Sequence, residues 1–161
     1  MDANPEPCMS EAERRLSELG HALPQPVSPI ATYVPFVRTG NLLHISGQVS
    51  VDANGGVTGV VGEAVDMAEA QRAARICGLN LIAQMKAACD GDLDRVVRIV
   101  KLGGFVQAGP DFFEIPAVIN GCSDLMVDVF GDRGRHARAA VGVYRLPRNF
   151  AVEVDAVVEV A

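Results

Sequence analysis

From Phe150 to Val160 the chain alternates with period two. Phe150, Val152, Val154, Ala156, Val158 and Val160 fall on one side, and Glu153, Asp155 and Glu159, with Ala151 and Val157, on the other. A strand that buries a single face reads this way. Between Glu63 and Cys89 the period changes. Ala70, Ala74, Cys77, Leu81, Met85 and Ala88 recur at helical spacing, and several are small, which predicts a helix packed close against a sheet. A second helix is predicted over Phe113 to Phe130, with Pro116 in its first turn and Gly131 past its end. Strands are predicted over Tyr33 to Val37, Leu42 to Val51, Asp94 to Val106 and Arg138 to Tyr144. Thr39-Gly-Asn41 and Asp52 to Gly56 form turns, and the Gly103-Gly104 pair marks a bulge or a close backbone approach.

The order is then β-β-α-β-α-β-β, which predicts an α+β mixed sheet with both helices on one face. The other face needs a cover. In a chain this short the expected cover is another copy of itself. Ahead of this body, taken as residues 30–161, residues 1–29 read as an appendage. Ser10 and Glu13 have capping-box spacing, a short helix runs to Gly20, and Pro24, Pro26 and Pro29 make an extended connector.

Composition narrows the function classes. The 161 residues carry a formal charge of -6, with 5% aromatics and no Trp. Neither a basic footprint for a phosphate backbone nor a set of base-stacking rings is present, so nucleic acid is not an expected partner. Arg133, Arg135, Arg138 and Arg145 cluster locally and read as a solvated loop and strand edge. No apolar run approaches a bilayer span, and residues 1–7 lack the apolar core of a secretory signal, so no membrane partner is expected. Cys8, Cys77, Cys89 and Cys122 show neither C-x-x-C nor zinc-finger spacing. Buried reduced thiols and a cytoplasmic setting are expected, with no metal.

Arg138 opens the strand-like run His136-Ala-Arg-Ala-Ala-Val-Gly-Val-Tyr-Arg-Leu-Pro147. Its guanidinium is always charged and fits a carboxylate with two parallel hydrogen bonds. Such a group in a sheet needs a partner. Either a protein carboxylate such as Glu153 or Asp155 neutralises it, or a ligand does. No Ser or Cys has a recognisable nucleophile context, and Cys122 reads as a packed thiol.

Three segments together resemble the Rid family, also called YjgF-type proteins. They are Arg138-Ala-Ala-Val-Gly-Val-Tyr-Arg-Leu-Pro147 followed by Val152-Glu-Val-Asp-Ala156, Ser46-Gly-Gln48 at the end of a hairpin strand, and Asn120 on the second helix. The resemblance spans residues 30–161. It implies a chorismate-mutase-like fold and a homotrimer with clefts between subunits. It also implies hydrolysis of reactive enamines and imines to a keto acid and ammonia, with no cofactor. By the same resemblance Arg138 holds the substrate carboxylate of a small metabolite and Glu153 serves the water and its protons. Tyr33, Ser46, Gly47, Asn120 and Ala140 line the cleft, with Ala140 standing where many members carry Cys. The N-terminal helix and Ala139, where Ser or Thr is common, depart from the family pattern.

Each residue also has a plainer reading. Glu153 is one of several acids on an exposed strand face, Tyr33 a half-buried strand aromatic, Ser46 and Gly47 a strand end, and Asn120 a helix polar residue bonded to a neighbouring subunit. Gln48 is read as structural. At the level of function the alternatives are a non-catalytic protein that binds a carboxylate metabolite in the same cleft, and a ribonuclease. The charge, the low aromatic content and the lack of a paired catalytic His oppose the ribonuclease.

Overall fold

The computed structural model describes residues 9–26, 28 and 31–161. Cys8, Pro29 and the expected start of the body at Ile30 lie outside them. Helix α1 spans Glu11–Glu18. The Ser10 hydroxyl accepts from the Glu13 amide at 3.2 Å, and the Glu13 carboxylate accepts from the Ser10 amide at 3.1 Å. These two bonds complete the capping box. Gly20, at φ 76°, takes the left-handed turn beyond the helix. This segment is not an appendage: Ala12 and Leu16 are buried in the same core cluster as the sheet and the longer helices. Their apolar stripe has no other place to go, and an ion pair from Lys86 to Glu13 closes over it.

Five strands form one sheet in the order β1-β2-β5-β3-β4. They are β1 (Phe36–Thr39), β2 (Leu42–Val49), β3 (Val96–Gln107), β4 (Ala137–Val143) and β5 (Val152–Val160). Only β3 and β4 run parallel. Helices α2 (Met67–Ala88) and α3 (Ile115–Phe130) follow β2 and β3 in sequence. On β5 the residues Val152, Val154, Ala156, Val158 and Val160 are buried, while Glu153, Asp155, Val157 and Glu159 are half-buried on the other face. That open face also exposes Val37, His44, Lys101 and Val141. Among the described residues no helix is long and apolar enough to cross a membrane.

Several boundaries differ from the periodicity, each for a local reason. β1 begins at Phe36, because Pro35 has no amide to donate and its carbonyl is taken by the Ser46 amide at 2.9 Å. Tyr33 therefore precedes the ladder. Helix α2 begins at Met67, not Glu63. Residues 60–65 fold into a turn in which the Ala64 and Val65 amides both donate to the Val60 carbonyl, and Asp66 caps the helix by accepting from the Glu69 amide at 2.9 Å. The irregularities of β3 fall between Val96 and Arg98 and between Ile99 and Lys101, whereas Gly103 and Gly104 keep regular register. The glycine pair serves close approach instead. A Cβ on Gly104 would lie 2.6 Å from Ile119 Cγ1 of α3.

The two long helices also touch through a glycine. A Cβ on Gly121 would run into the Gln71 carbonyl of α2, and the Gln71 amide group reaches back to the Ala117 carbonyl at 2.9 Å. Because the obstacle is backbone, Gly121→Ala forces the helices apart. It is expected to lower stability by about 1–3 kcal/mol, read as a lower denaturant midpoint in chemical unfolding.

Candidate functional site

Two groups of the residues singled out above occur in the structure, in different places. The first lines a pocket of about 290 Å³ whose wall includes Tyr33, Ser46, Gly47, Val49, Arg148 and Glu153. The bulge between Ile45 and Gln48 of β2 turns Ser46 and Gly47 toward it. The Ser46 hydroxyl donates to the Val34 carbonyl at 2.7 Å, which ties the segment bearing Tyr33 to β2. Gly47 is required by contact: a Cβ there would collide with Glu153 Oε1. Gln48 is buried, with its amide donating to the Ser46 carbonyl at 2.9 Å, a structural role.

Glu153 stands half-buried, and among the described residues its carboxyl has neither a hydrogen-bond donor nor an ion-pair partner. Burial, and then the neighbouring Asp155 charge, raise its pKa from the ordinary carboxylate value. A carboxyl in that state can take and return a proton nearer neutral pH than a solvated one.

The second group sits where β4 meets α3. Arg138 Nη1 donates to Asn120 Oδ1 at 2.8 Å and to Ser123 Oγ at 3.1 Å. Ser123 in turn lies 2.9 Å from His136 Nε2, and His136 Nδ1 lies 2.6 Å from the Gly134 carbonyl. A carbonyl only accepts, so Nδ1 carries a proton. In the neutral ring Nε2 then receives the Ser123 O–H, and the Ser123 lone pair is turned to Arg138. Ser123 and His136 were missed as a pair in the sequence. They are 13 residues apart, Ser123 on α3 and His136 in the connection just before β4, and the only signal was a polar residue three positions after Asn120.

The structure answers the question of Arg138's partner. Neither Glu153 nor Asp155 neutralises it; among the described residues its hydrogen-bond partners are neutral, and Nε and Nη2 have no acceptor. Nor do Arg138 and Glu153 meet within one chain. Arg138 pairs with Leu102, which pairs with Ala156 on the helix side of the sheet. Glu153 pairs with Phe105 on the open face. Ala140 is half-buried on the Arg138 side, opposite Gly104. Within one chain the residues expected to line the cleft thus fall in two groups: Tyr33, Ser46, Gly47 and Glu153 in one place, Arg138, Asn120 and Ala140 in the other.

Among the described residues no three His, Cys, Asp or Glu side chains are grouped to hold a metal. Cys77, Cys89 and Cys122 are free and buried. Burial raises the pKa of all three, that of Cys122 to about 12. Cys122 is a packed thiol, not a nucleophile.

Residues 13–159 match the model of the YjgF/chorismate mutase-like family, which also carries an endoribonuclease label. The chain is similar to the protein TCP17 of Trypanosoma cruzi, 51% identical over 146 residues that cover 89% of this chain and 91% of that one. It is similar to a 2-iminobutanoate/2-iminopropanoate deaminase of Dermatophagoides farinae, 31% identical over 137 residues, covering 84% and 88% respectively. Among solved structures it resembles an Agrobacterium tumefaciens protein of unknown function, 51% identical with a TM-score of 0.89, covering 94% and 93%.

Two measurements check the site as described. Asp155→Asn removes the like charge beside Glu153, so the Glu153 titration midpoint is expected to move to lower pH, as followed by carboxyl carbon NMR. An unmoved midpoint would assign the whole upward shift to burial. Alkylation of the native protein at pH 8, read by peptide mass spectrometry, is expected to leave Cys77, Cys89 and Cys122 unmodified until the chain is unfolded.

Proposed function

Because the chain belongs to the YjgF/chorismate mutase-like (Rid) family, we propose that it hydrolyses 2-imino and 2-enamino acids to 2-keto acids and ammonia, in clefts shared between copies of the chain. The observation that carries this reading is the division of the site. Among the described residues, one protomer holds a guanidinium without an acid partner at its β4 edge, and an unpaired carboxyl of raised proton affinity on its open sheet face. No small molecule reaches both in one subunit. A neighbour that covers the open face brings its own Arg138, Asn120 and Ala140 to the Glu153 pocket, and a closed ring of three repeats the arrangement. The relative from Dermatophagoides farinae, named as an iminobutanoate and iminopropanoate deaminase, supports the reaction class. The buried free thiols accord with a reducing, cytoplasmic setting.

In this mechanism Nε and Nη2 of Arg138 take the substrate carboxylate as a fork, because Asn120 and Ser123 occupy only Nη1. The electrophilic carbon of the N-protonated imine is then held toward the Glu153 carboxyl of the adjoining subunit. Glu153 accepts a proton from the attacking water, a carbinolamine forms, and the same carboxyl returns the proton to the nitrogen. As the C–N bond breaks, the re-ionised carboxylate takes the hydroxyl proton, leaving the keto carbonyl, and hands it to the released ammonia. The keto acid and ammonia leave. An iminium carbon is already electrophilic, so orientation and one proton carrier are sufficient, and no nucleophilic side chain is used. Tyr33, Ser46 and Gly47 wall the side chain of the substrate.

The test is release of keto acid from enzymatically generated 2-iminopropanoate, with semicarbazide trapping of the remaining imine. The wild-type protein is expected to shorten imine lifetime. Arg138→Ala is expected to lower kcat/KM by about 100-fold, the worth of one charge-assisted fork. Glu153→Gln is expected to lower kcat by about 10²–10⁴-fold. Sedimentation is expected to give about three times the 17.0 kDa chain mass. Imine decay at the uncatalysed rate, with saturable keto-acid binding, would convert the protein into a carboxylate-metabolite binder.

A further inference from the structure

The Glu153 pocket contains a cation that this chemistry leaves unused. Arg148 lines it and is exposed, and among the described residues its guanidinium has no hydrogen-bond acceptor and no ion-pair partner. Its backbone is unusual for a long side chain, with φ 53° and ψ 26°, and Asn149 follows at φ 63°. Two successive non-glycine residues in the left-handed region store strain, and surrounding structure has to hold them there.

The holding group is Gln107, at the end of β3 and 0% exposed. Its Oε1 accepts from the Leu146 amide at 2.8 Å, and its Nε2 donates to Asn149 Oδ1 at 2.6 Å. The Asn149 carbonyl accepts from the Gly59 amide at 2.8 Å, and the Phe150 amide donates to the Pro147 carbonyl at 3.1 Å. A buried amide therefore clamps both ends of the turn that carries Arg148. A merely solvated arginine needs no such clamp. Apart from Glu153, Ser46 and a few other polar groups, the wall around it is mostly apolar, with Pro147, Phe150, Val49 and Val51. A three-carbon imino acid would leave much of that wall uncovered and would offer nothing to the guanidinium.

We propose that Arg148 forms a subsite for a second anionic group, and that the ligands of this cleft are 2-imino dicarboxylates and the 2-oxo dicarboxylates they yield. The distal carboxylate pairs with Arg148 while Arg138 of the neighbouring subunit takes the carboxylate beside the imine carbon. The identity of the reacting group rests on the deaminase reading; the second charge does not.

Calorimetry on the intact oligomer separates the two. The probes are 2-oxoglutarate and pyruvate, which are stable and need no turnover. The wild-type protein is expected to bind 2-oxoglutarate about tenfold or more tighter than pyruvate, as one charge-assisted hydrogen bond implies. Arg148→Gln is expected to bring that ratio close to one, and Arg148→Lys to retain most of it. Arg148→Gly is expected to lose the ratio while raising the melting temperature, because glycine adopts this backbone without strain. Equal affinities in the wild type, no saturable 2-oxoglutarate binding, or a ratio untouched in Arg148→Gln would overturn the subsite. A normal ratio in a protein that leaves imines unhydrolysed would overturn the deaminase reading and leave the subsite standing.

Discussion

The register that pairs Arg138 with Leu102 and Glu153 with Phe105 puts a guanidinium and a carboxyl on opposite faces of one sheet. Side chains on a pleated sheet cannot change face without a shift of register, and here the buried Val, Ile and Leu residues on the helix side prevent that shift. The two ionic groups are consequently kept from cancelling each other. Arg138 stays available to an outside anion, and Glu153 stays without a cation and resists ionising. Much of the proposed chemistry follows from this enforced separation, including the proposed sharing of the cleft between copies of the chain.

Neutral partners complete the arrangement. Asn120 and Ser123 orient Arg138 without quenching its charge, and the His136 ring, set by the Gly134 carbonyl, orients Ser123. A carboxylate in place of Asn120 would hold the guanidinium as firmly and occupy it. On the other face glycine does comparable work. Gly47 lets the Glu153 carboxyl lie against the β2 backbone, and Gly103 leaves room for Asp155, where a Cβ would collide with the carboxyl oxygen. The pleat of β5 sets the two acids side by side and the glycines leave room for their carboxyls, and their proximity contributes to the raised proton affinity of Glu153.

The pocket-lining turn follows the same logic. Pro147, Arg148 and Asn149 would be a variable surface loop if they were not pinned. The buried Gln107 side chain satisfies both its oxygen and its nitrogen within that turn, so the loop inherits the rigidity of the sheet. Site residues on both faces are positioned by elements whose cores are closely packed.

Much of this was readable in one dimension. The alternation of β5, the helical stripe of α2, the capping box at Ser10 and the order of elements all express local periodicity, which repeats on the scale of a turn or a pleat. Arg138 stood out because charge on a strand is costly, whereas Glu153, one of several acids on its face, was picked out only by the family resemblance. What periodicity does not carry is which strands are neighbours. The β1-β2-β5-β3-β4 order, and with it the separation of Arg138 from Glu153, depends on long-range pairing. The Ser123–His136 contact, the docking of α1 through Ala12 and Leu16, and the clamp of Gln107 on Asn149 are likewise meetings of residues far apart in the chain. Local sequence decides which face of its own element a residue takes; only the folded sheet decides what that face meets.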